Sequence, residues 1–169
     1  GGSAEGADCV RPQMMRLRMI VAYDGTRYRG FQLQSGQVMR QEFRNRASEW
    51  ESVSTVQGVL EAAFGRVLKV GADCRVIVVG SSRTDTGVHA RGQCCHVDVP
   101  ESHRHVDPQV ILHRLNRALP PDVSVCELRF AEPGFSAQYS VAGESACLTV
   151  CPASMRHHRD IAQHACSRS

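Results

Sequence analysis

Apolar and polar residues alternate from Met15 to Tyr23, with Met15, Leu17, Met19, Val21 and Tyr23 on one side and Arg16, Arg18, Ile20 and Ala22 on the other. A period of two is that of a strand with one face buried. Asp24-Gly25-Thr26 turns the chain at its end. The period then changes. Val56, Val59, Leu60, Ala63, Phe64, Val67 and Leu68 form one apolar stripe at helical spacing, with Ser54 as cap, Gln57 in the capping-box position and Gly71-Ala72-Asp73 as the end. Arg75 to Val79 is an apolar, β-branched run that reads as a buried strand. Gln93 to Val99 alternates again, with Cys95, Val97 and Val99 on one face, until Pro100 stops it. Asp107-Pro108 opens a second helix, Asp as cap and Pro in the first turn, with Ile111, Leu112, Leu115, Ala118 and Leu119 as its buried face and Pro120-Pro121 as its end. Val123 to Phe130 makes a last strand.

The order strand, helix, strand, strand, helix, strand predicts an α+β fold, the ferredoxin-like split βαβ (β-α-β-β-α-β) domain with an antiparallel sheet, over residues 15–142. Arg75 to Val79 and Gln93 to Val99 are expected as its central strands. Three stretches stand outside the plan. Residues 1–14 read as a disordered leader, small and polar at the start and without a signal-peptide core. Residues 35–53 are a polar insertion carrying Arg40, Arg44 and Arg46, readable as an arginine-rich loop that touches RNA or as sequence foreign to the fold, and its length favours the second slightly. Residues 143–169 form an atypical tail of scattered Cys, His and Arg without a strong period, expected to be disordered.

Composition narrows the picture a little. With 169 residues and 42% hydrophobic content there is room for one domain with a real core. The formal charge is only +3, but Lys69 is the sole lysine, so the cations are nearly all arginine. Arginine forks onto phosphate and stacks on bases, which suits an RNA partner, and compositional bias towards arginine accounts for it equally well. The sequence holds eight cysteines, none in a C-x-x-C pair. Cys74, Cys94, Cys95 and Cys126 fall in or beside apolar stretches and are expected as buried thiols. Cys94-Cys95-His96 points neighbouring side chains to opposite faces of a strand, and His157-His158 with Cys151 makes at most a weak site, so no metal is predicted. No run approaches transmembrane length, and no membrane association is expected.

The candidate chemistry lies in Ser81-Ser82-Arg83-Thr84-Asp85-Thr86-Gly87-Val88-His89-Ala90, where a carboxylate follows an arginine by two residues and precedes a glycine by two. Asp85 is short enough to approach a substrate from a turn, and Gly87 permits a dihedral that a side chain would forbid. Arg83 is close enough in the chain to favour the ionised carboxylate, which can serve as nucleophile or base. The same loop is also readable as an Asx-turn closed by Asp85 beside a surface arginine. On the loop alone that second reading is favoured.

Arg83-Thr84-Asp85-Thr86-Gly87-Val88-His89-Ala90 resembles the active-site motif of the TruA family of tRNA pseudouridine synthases, in which Arg-Thr-Asp-x-Gly-Val-His carries the catalytic aspartate. Three further segments match in the family's order: Tyr23-Asp24-Gly25-Thr26-Arg27-Tyr28-Arg29-Gly30-Phe31-Gln32-Leu33-Gln34, Thr55-Val56-Gln57-Gly58-Val59-Leu60-Glu61 and Leu115-Asn116-Arg117-Ala118-Leu119-Pro120-Pro121-Asp122. Phe135-Ser136-Ala137-Gln138-Tyr139-Ser140 is a fainter match. The resemblance implies uridine isomerisation in tRNA with Asp85 as catalytic carboxylate, no cofactor and no metal. It implies substrate-binding roles for Arg83, Thr84, Gly87, His89, Phe31 and Gln32, although His89 is better suited to fixing the loop and Phe31 to core packing. It further implies a tRNA partner, a possible homodimer and an intracellular setting in cytoplasm, nucleus or an organelle. Beyond Ala142 the sequence departs from the family. The cleft tyrosine of its Arg-Tyr-x-Tyr strand falls on Ala146, and the next on Leu148, which raises the expectation of a truncated, inactive product. A non-catalytic RNA-binding module of the same plan is the alternative, disfavoured because the strands expected at the centre carry no aromatic residue on which bases would stack. A regulatory fragment that pairs with a full-length relative is a third reading.

Overall fold

A computed structural model describes residues 13–33, 55–71 and 74–140. The insertion 35–53, the expected cap Ser54 and the tail from residue 143 lie outside the described residues, as does the leader apart from its last two positions. The chain forms β1 (Met14–Tyr23), α1 (Val56–Val67), β2 (Ile77–Gly80), β3 (Ala90–Pro100), α2 (Pro108–Ala118) and β4 (Val123–Phe130), with one-turn 3-10 helices at Gly25–Arg27 and Glu101–His103. The strands pair in the order β2-β3-β1-β4, every neighbour antiparallel. This is the ferredoxin-like arrangement the element order predicts. The central strands are β1 and β3, and β2 is at an edge. That corrects the expected centre, and it leaves Ile77 exposed where a buried strand is expected.

The alternation in β1 works as read. Met15, Leu17, Met19, Val21 and Tyr23 are buried, and they join Cys95, Val97 and Val99 of β3 and the stripes of both helices in one core. Helix α1 starts one residue later than expected. Thr55 is the cap, its side chain accepting from the Gly58 amide, while Gln57 turns away from a capping box. The helix also ends earlier. Lys69 takes a left-handed conformation (φ 51°), and the amides of Lys69 and Val70 reach back to Arg66 and Gly65 in a Schellman closure usually built on glycine. Asp107 caps α2 as expected, accepting from the Gln109 amide.

Cys94 and Cys95 are buried thiols, and burial pushes both up, so they pack as small protonated hydrophobes. Cys74 and Cys126 are only half-buried. Cys126 is displaced because Ile20 pairs with Glu127 and Val21 with Val125, which makes it the extra residue of a bulge. Cys74 lies in the loop before β2.

Both edges of the sheet are covered by helix side chains. On β2 the Val78 amide donates to Glu61 Oε1 (3.1 Å), a carboxylate that also accepts from Gln57 (2.9 Å) and Arg75 (3.4 Å). On β4 the Asn116 side chain bonds both the amide and the carbonyl of Val125, each at 2.8 Å. An unpaired edge is a template for another strand, and these contacts occupy part of it.

The sheet face away from the helices is crossed by the segment after β4. Arg16 forks onto Asp98 (2.7 and 2.8 Å) and donates to the Phe135 carbonyl (2.7 Å), Arg18 lies 5.1 Å over the Phe135 ring, and the Ala137 amide donates to His96 Nδ1 (3.0 Å). Burial and the Arg16 charge hold His96 below its ordinary pKa, Asp98 opposing them.

Removing Asn116 leaves two groups of Val125 without their partner, so Asn116→Ala should lower the unfolding free energy by about 1–2 kcal/mol, read from the urea midpoint. Because the folded chain binds a proton at His96 less readily than the unfolded chain, stability should fall as pH drops below the unfolded value of about 6.5 and through the lowered folded value. His96→Asn, which keeps an acceptor for Ala137, should flatten that part of the pH profile of thermal melting.

Candidate active site

Strand β1 delivers the chain into Asp24, and β2 delivers it into Ser81. The two loops that follow meet. The Phe31 amide donates to the Thr84 carbonyl (3.1 Å) and the Gly87 amide to the Tyr28 carbonyl (3.2 Å), while the Val56 and Gln57 amides at the start of α1 donate to the Gly30 and Phe31 carbonyls (3.3 and 2.9 Å). Residues 28–31 are thus strung between the Asp85 loop and the helix. Within the loop the Val88 amide donates to the Asp85 carbonyl (3.2 Å). Gly87, two residues after Asp85, has φ 76°, the positive value a type II turn needs at that position.

The approach of the loops leaves no room for side chains at two glycines. A Cβ on Gly25 would lie 2.0 Å from the Val88 carbonyl oxygen. One on Gly30, at φ 91°, would lie 2.8 Å from that of Thr84. These glycines belong to the first matched segment, and their role is this contact.

Three side chains fasten the same region from within. His89, 6% exposed, sits beneath the loop, and its Nδ1 lies 3.0 Å from the Gly25 amide and 3.1 Å from Asp24 Oδ1. The amide can only donate, so Nδ1 is its acceptor. The Asp24 oxygen is already taken up by the Thr26 amide and hydroxyl (2.9 and 2.5 Å). Asp122, buried in the turn just before β4, receives Arg27 on both oxygens (2.7 and 3.1 Å) and the Tyr28 hydroxyl (2.7 Å), and its carbonyl accepts from the Asp24 amide (2.9 Å). Bonding to Asp122 holds the Arg27 guanidinium charged, and burial, with Asp122 beside it, pushes the Tyr28 phenol up. Tyr23, 1% exposed, meets Thr84 Oγ1 at 2.7 Å. Burial pushes its phenol up to about 12.

Above this support the reactive groups face outward. Arg83, Asp85, Gly87 and Gln32 are exposed, and Thr84 is half-buried. Among the described residues Arg83 and Asp85 do not form the ion pair their spacing suggests. Thr84 between them turns inward to Tyr23, and two hydrated charges gain only about 0–1 kcal/mol by pairing. Phe31 is 2% exposed, packed 6.0 Å from the Tyr23 ring, so it contributes to the core rather than to an open surface. Tyr23, Gln93, Asp122 and the glycines Gly25 and Gly30 carry the loop, and sequence reasoning assigns none of them to the site. Gln93 had a signal: its parity places it with Cys95 and Val97 on the apolar face, and a polar residue there calls for a partner. No group of metal-ligating side chains occurs among the described residues.

A family model described as tRNA pseudouridine synthase matches residues 19–139. The chain is 39% identical over 131 residues to the tRNA pseudouridine synthase A of Corynebacterium glutamicum, covering 75% of this chain and 39% of that protein. It is 37% identical to that of Akkermansia muciniphila (78% and 42% covered) and 37% identical to that of Leuconostoc mesenteroides (75% and 44% covered). The chain spans about two fifths of the length of these curated relatives.

The two positive or crowded glycine positions should separate in mutagenesis. Gly87→Ala meets open space and bears only the left-handed strain of about 1–2 kcal/mol. Gly25→Ala forces backbone apart and should cost more, about 3 kcal/mol. Equilibrium unfolding of both variants checks the order.

Proposed function

The chain belongs to the tRNA pseudouridine synthase family, and from that premise we propose that it isomerises uridine to pseudouridine in tRNA with Asp85 as the catalytic carboxylate. The supporting observation is the presentation of Asp85: an exposed carboxylate on a turn whose backbone is tied to β1's exit loop and, through it, to α1. Proximity of a fixed group to the reacting atoms is the larger part of what such a site supplies.

The reaction breaks the bond between C1′ and N1, turns the uracil and joins C1′ to C5. The proton on C5 leaves and N1 gains one. Nothing is oxidised and no group is exchanged, so the balance calls for no cofactor. Asp85 acts either by attacking C1′ or by removing the C2′ proton, and both need the ionised carboxylate at the open side of the loop. Arg83, exposed beside it, holds the displaced nucleotide, whose unstacking costs roughly a few kcal/mol. In the same reading the exposed Gly87 and Gln32 contact the nucleotide, and Thr84 supports the loop from within through Tyr23. His89 and Phe31 act from beneath it, through the Gly25 amide and the core.

A tRNA substrate fits the exposed Arg83 and Arg29 on this side. The homodimer implied by the resemblance belongs to the same proposal, and sedimentation of the purified chain checks it. The alternative, a binding module without turnover, has little support: on the face away from the helices β1 and β3 carry Arg16, Arg18, His96 and Asp98 and no Phe, Tyr or Trp, and the segment after β4 crosses that face. No helix among the described residues is long and apolar enough to cross a membrane.

The purified chain should form pseudouridine in an unmodified tRNA transcript, and Asp85→Asn should lower the rate by about a thousandfold or more while leaving the melting temperature unchanged. Binding of the transcript without turnover by either protein would favour the alternative instead.

A further inference from the structure

We infer that Tyr23 and Gln93 are positioning residues for Arg83 and Asp85, acting through a closed ring of hydrogen bonds beneath the loop. This rests on the proposed reaction at Asp85. Tyr23 Oη lies 2.7 Å from Thr84 Oγ1 and donates to Gln93 Oε1 (3.3 Å), and Gln93 Nε2 donates to the Ser82 carbonyl (2.7 Å). A phenol has one proton. Given to Gln93, it leaves the Thr84 hydroxyl as donor to Tyr23, so the bonds run one way: Thr84 to Tyr23 to Gln93 to Ser82. The ring closes through the backbone of residues 82–84, and Arg83 is the residue it encloses.

Each member is fixed from another side. Gln93 is fully buried at 0% exposure on the apolar face of β3, where an unpaired amide would be costly, and both its polar atoms are used within the ring. Its orientation is set because only the nitrogen can donate to a carbonyl. Gly80 keeps the space open: a Cβ there would lie 2.6 Å from Gln93 Nε2 and 2.7 Å from the Phe31 ring. Tyr23 is held by the core, against Phe31. The Thr84 carbonyl, on the same residue, accepts from the Phe31 amide. With the Ser82 carbonyl and the Thr84 side chain drawn inward, Arg83 and Asp85 are left on the solvent side. Bonds aligned in one direction polarise each other, and the phenol stays protonated at any working pH.

Tyr23→Phe keeps the ring packing and deletes the hydroxyl, and Thr84→Val deletes the other end of the same bond. Each should lower kcat on a tRNA transcript about 10- to 100-fold with KM within about twofold, since sub-ångström misplacement acts on the chemical step. The double variant should be no slower than the slower single. Wild-type kcat in Tyr23→Phe, or losses that multiply in the double variant, would overturn the inference. A rise in KM alone in Thr84→Val would make Thr84 a substrate contact and overturn it too. Should the unmodified chain show no turnover, the proposed reaction fails and the ring is judged on amide hydrogen exchange. Exchange at Gly87 and Val88 should then quicken about tenfold in Tyr23→Phe with β1 and β3 unchanged, and equal protection in the two proteins would dismiss the ring.

Discussion

Two stretches of backbone approach each other more closely than any side chain allows, and the rest of the site depends on that contact. The Val88 and Thr84 carbonyls lie where the Cβ atoms of residues 25 and 30 would be. Glycine at both positions lets the exit of β1 lie directly on the Asp85 loop, and the hydrogen bonds of residues 28–31 then pass the constraint on to α1. A loop on the surface of a domain is ordinarily among its least stable parts. Here it is tied to β1, α1 and β3 at once, so the entropy of ordering it is met during folding rather than when a substrate arrives.

The polar residues inside the fold follow the same logic. Glu61, Asn116, Asp122, Gln93 and His96 each sit where the chain leaves a backbone or side-chain donor or acceptor that no ladder satisfies. Buried polar groups are expensive when half-satisfied, and each of these bonds a residue in another segment of the chain. They specify register more than they add stability. Glu61 fixes α1 against the edge strand β2, Asn116 fixes α2 against the edge strand β4, and Asp122 fixes the start of β4 against the loop at Arg27 and Tyr28. The matched segment Leu115–Asp122 contains both Asn116 and Asp122, so a motif far from Asp85 in sequence reaches its loop through a carboxylate and a phenol.

Much of the fold is legible in the sequence because period is a local property. The alternation in β1, the stripe in α1 and the Asp107-Pro108 start of α2 each depend on residues a few positions apart, and the structure keeps them. Strand order is not local, and β2, read as central because it is apolar, lies at an edge with Ile77 outside. The helix ends slip for a different reason: Thr55 and Lys69 outcompete Ser54 and Gly71 through hydrogen bonds whose geometry propensity does not contain. At the site, motif residues with reactive groups are recognisable by type. Those that hold them in place are glycines, a tyrosine and a glutamine, which look like ordinary turn and strand residues until the partner is seen.

That division separates two kinds of residue in the same ten-residue loop. Arg83 and Asp85 are exposed and have no ion-pair partner among the described residues, whereas the Ser82 carbonyl and the Thr84 hydroxyl are bonded from within. The charges outside are left unspent on the protein itself. A carboxylate neutralised by its own arginine would meet a substrate already paired, and would have to break that pair before reacting. By turning Thr84 inward, the fold leaves the two charges exposed and unpaired with each other, so under the proposed reaction neither has to be freed from the other before a substrate desolvates it.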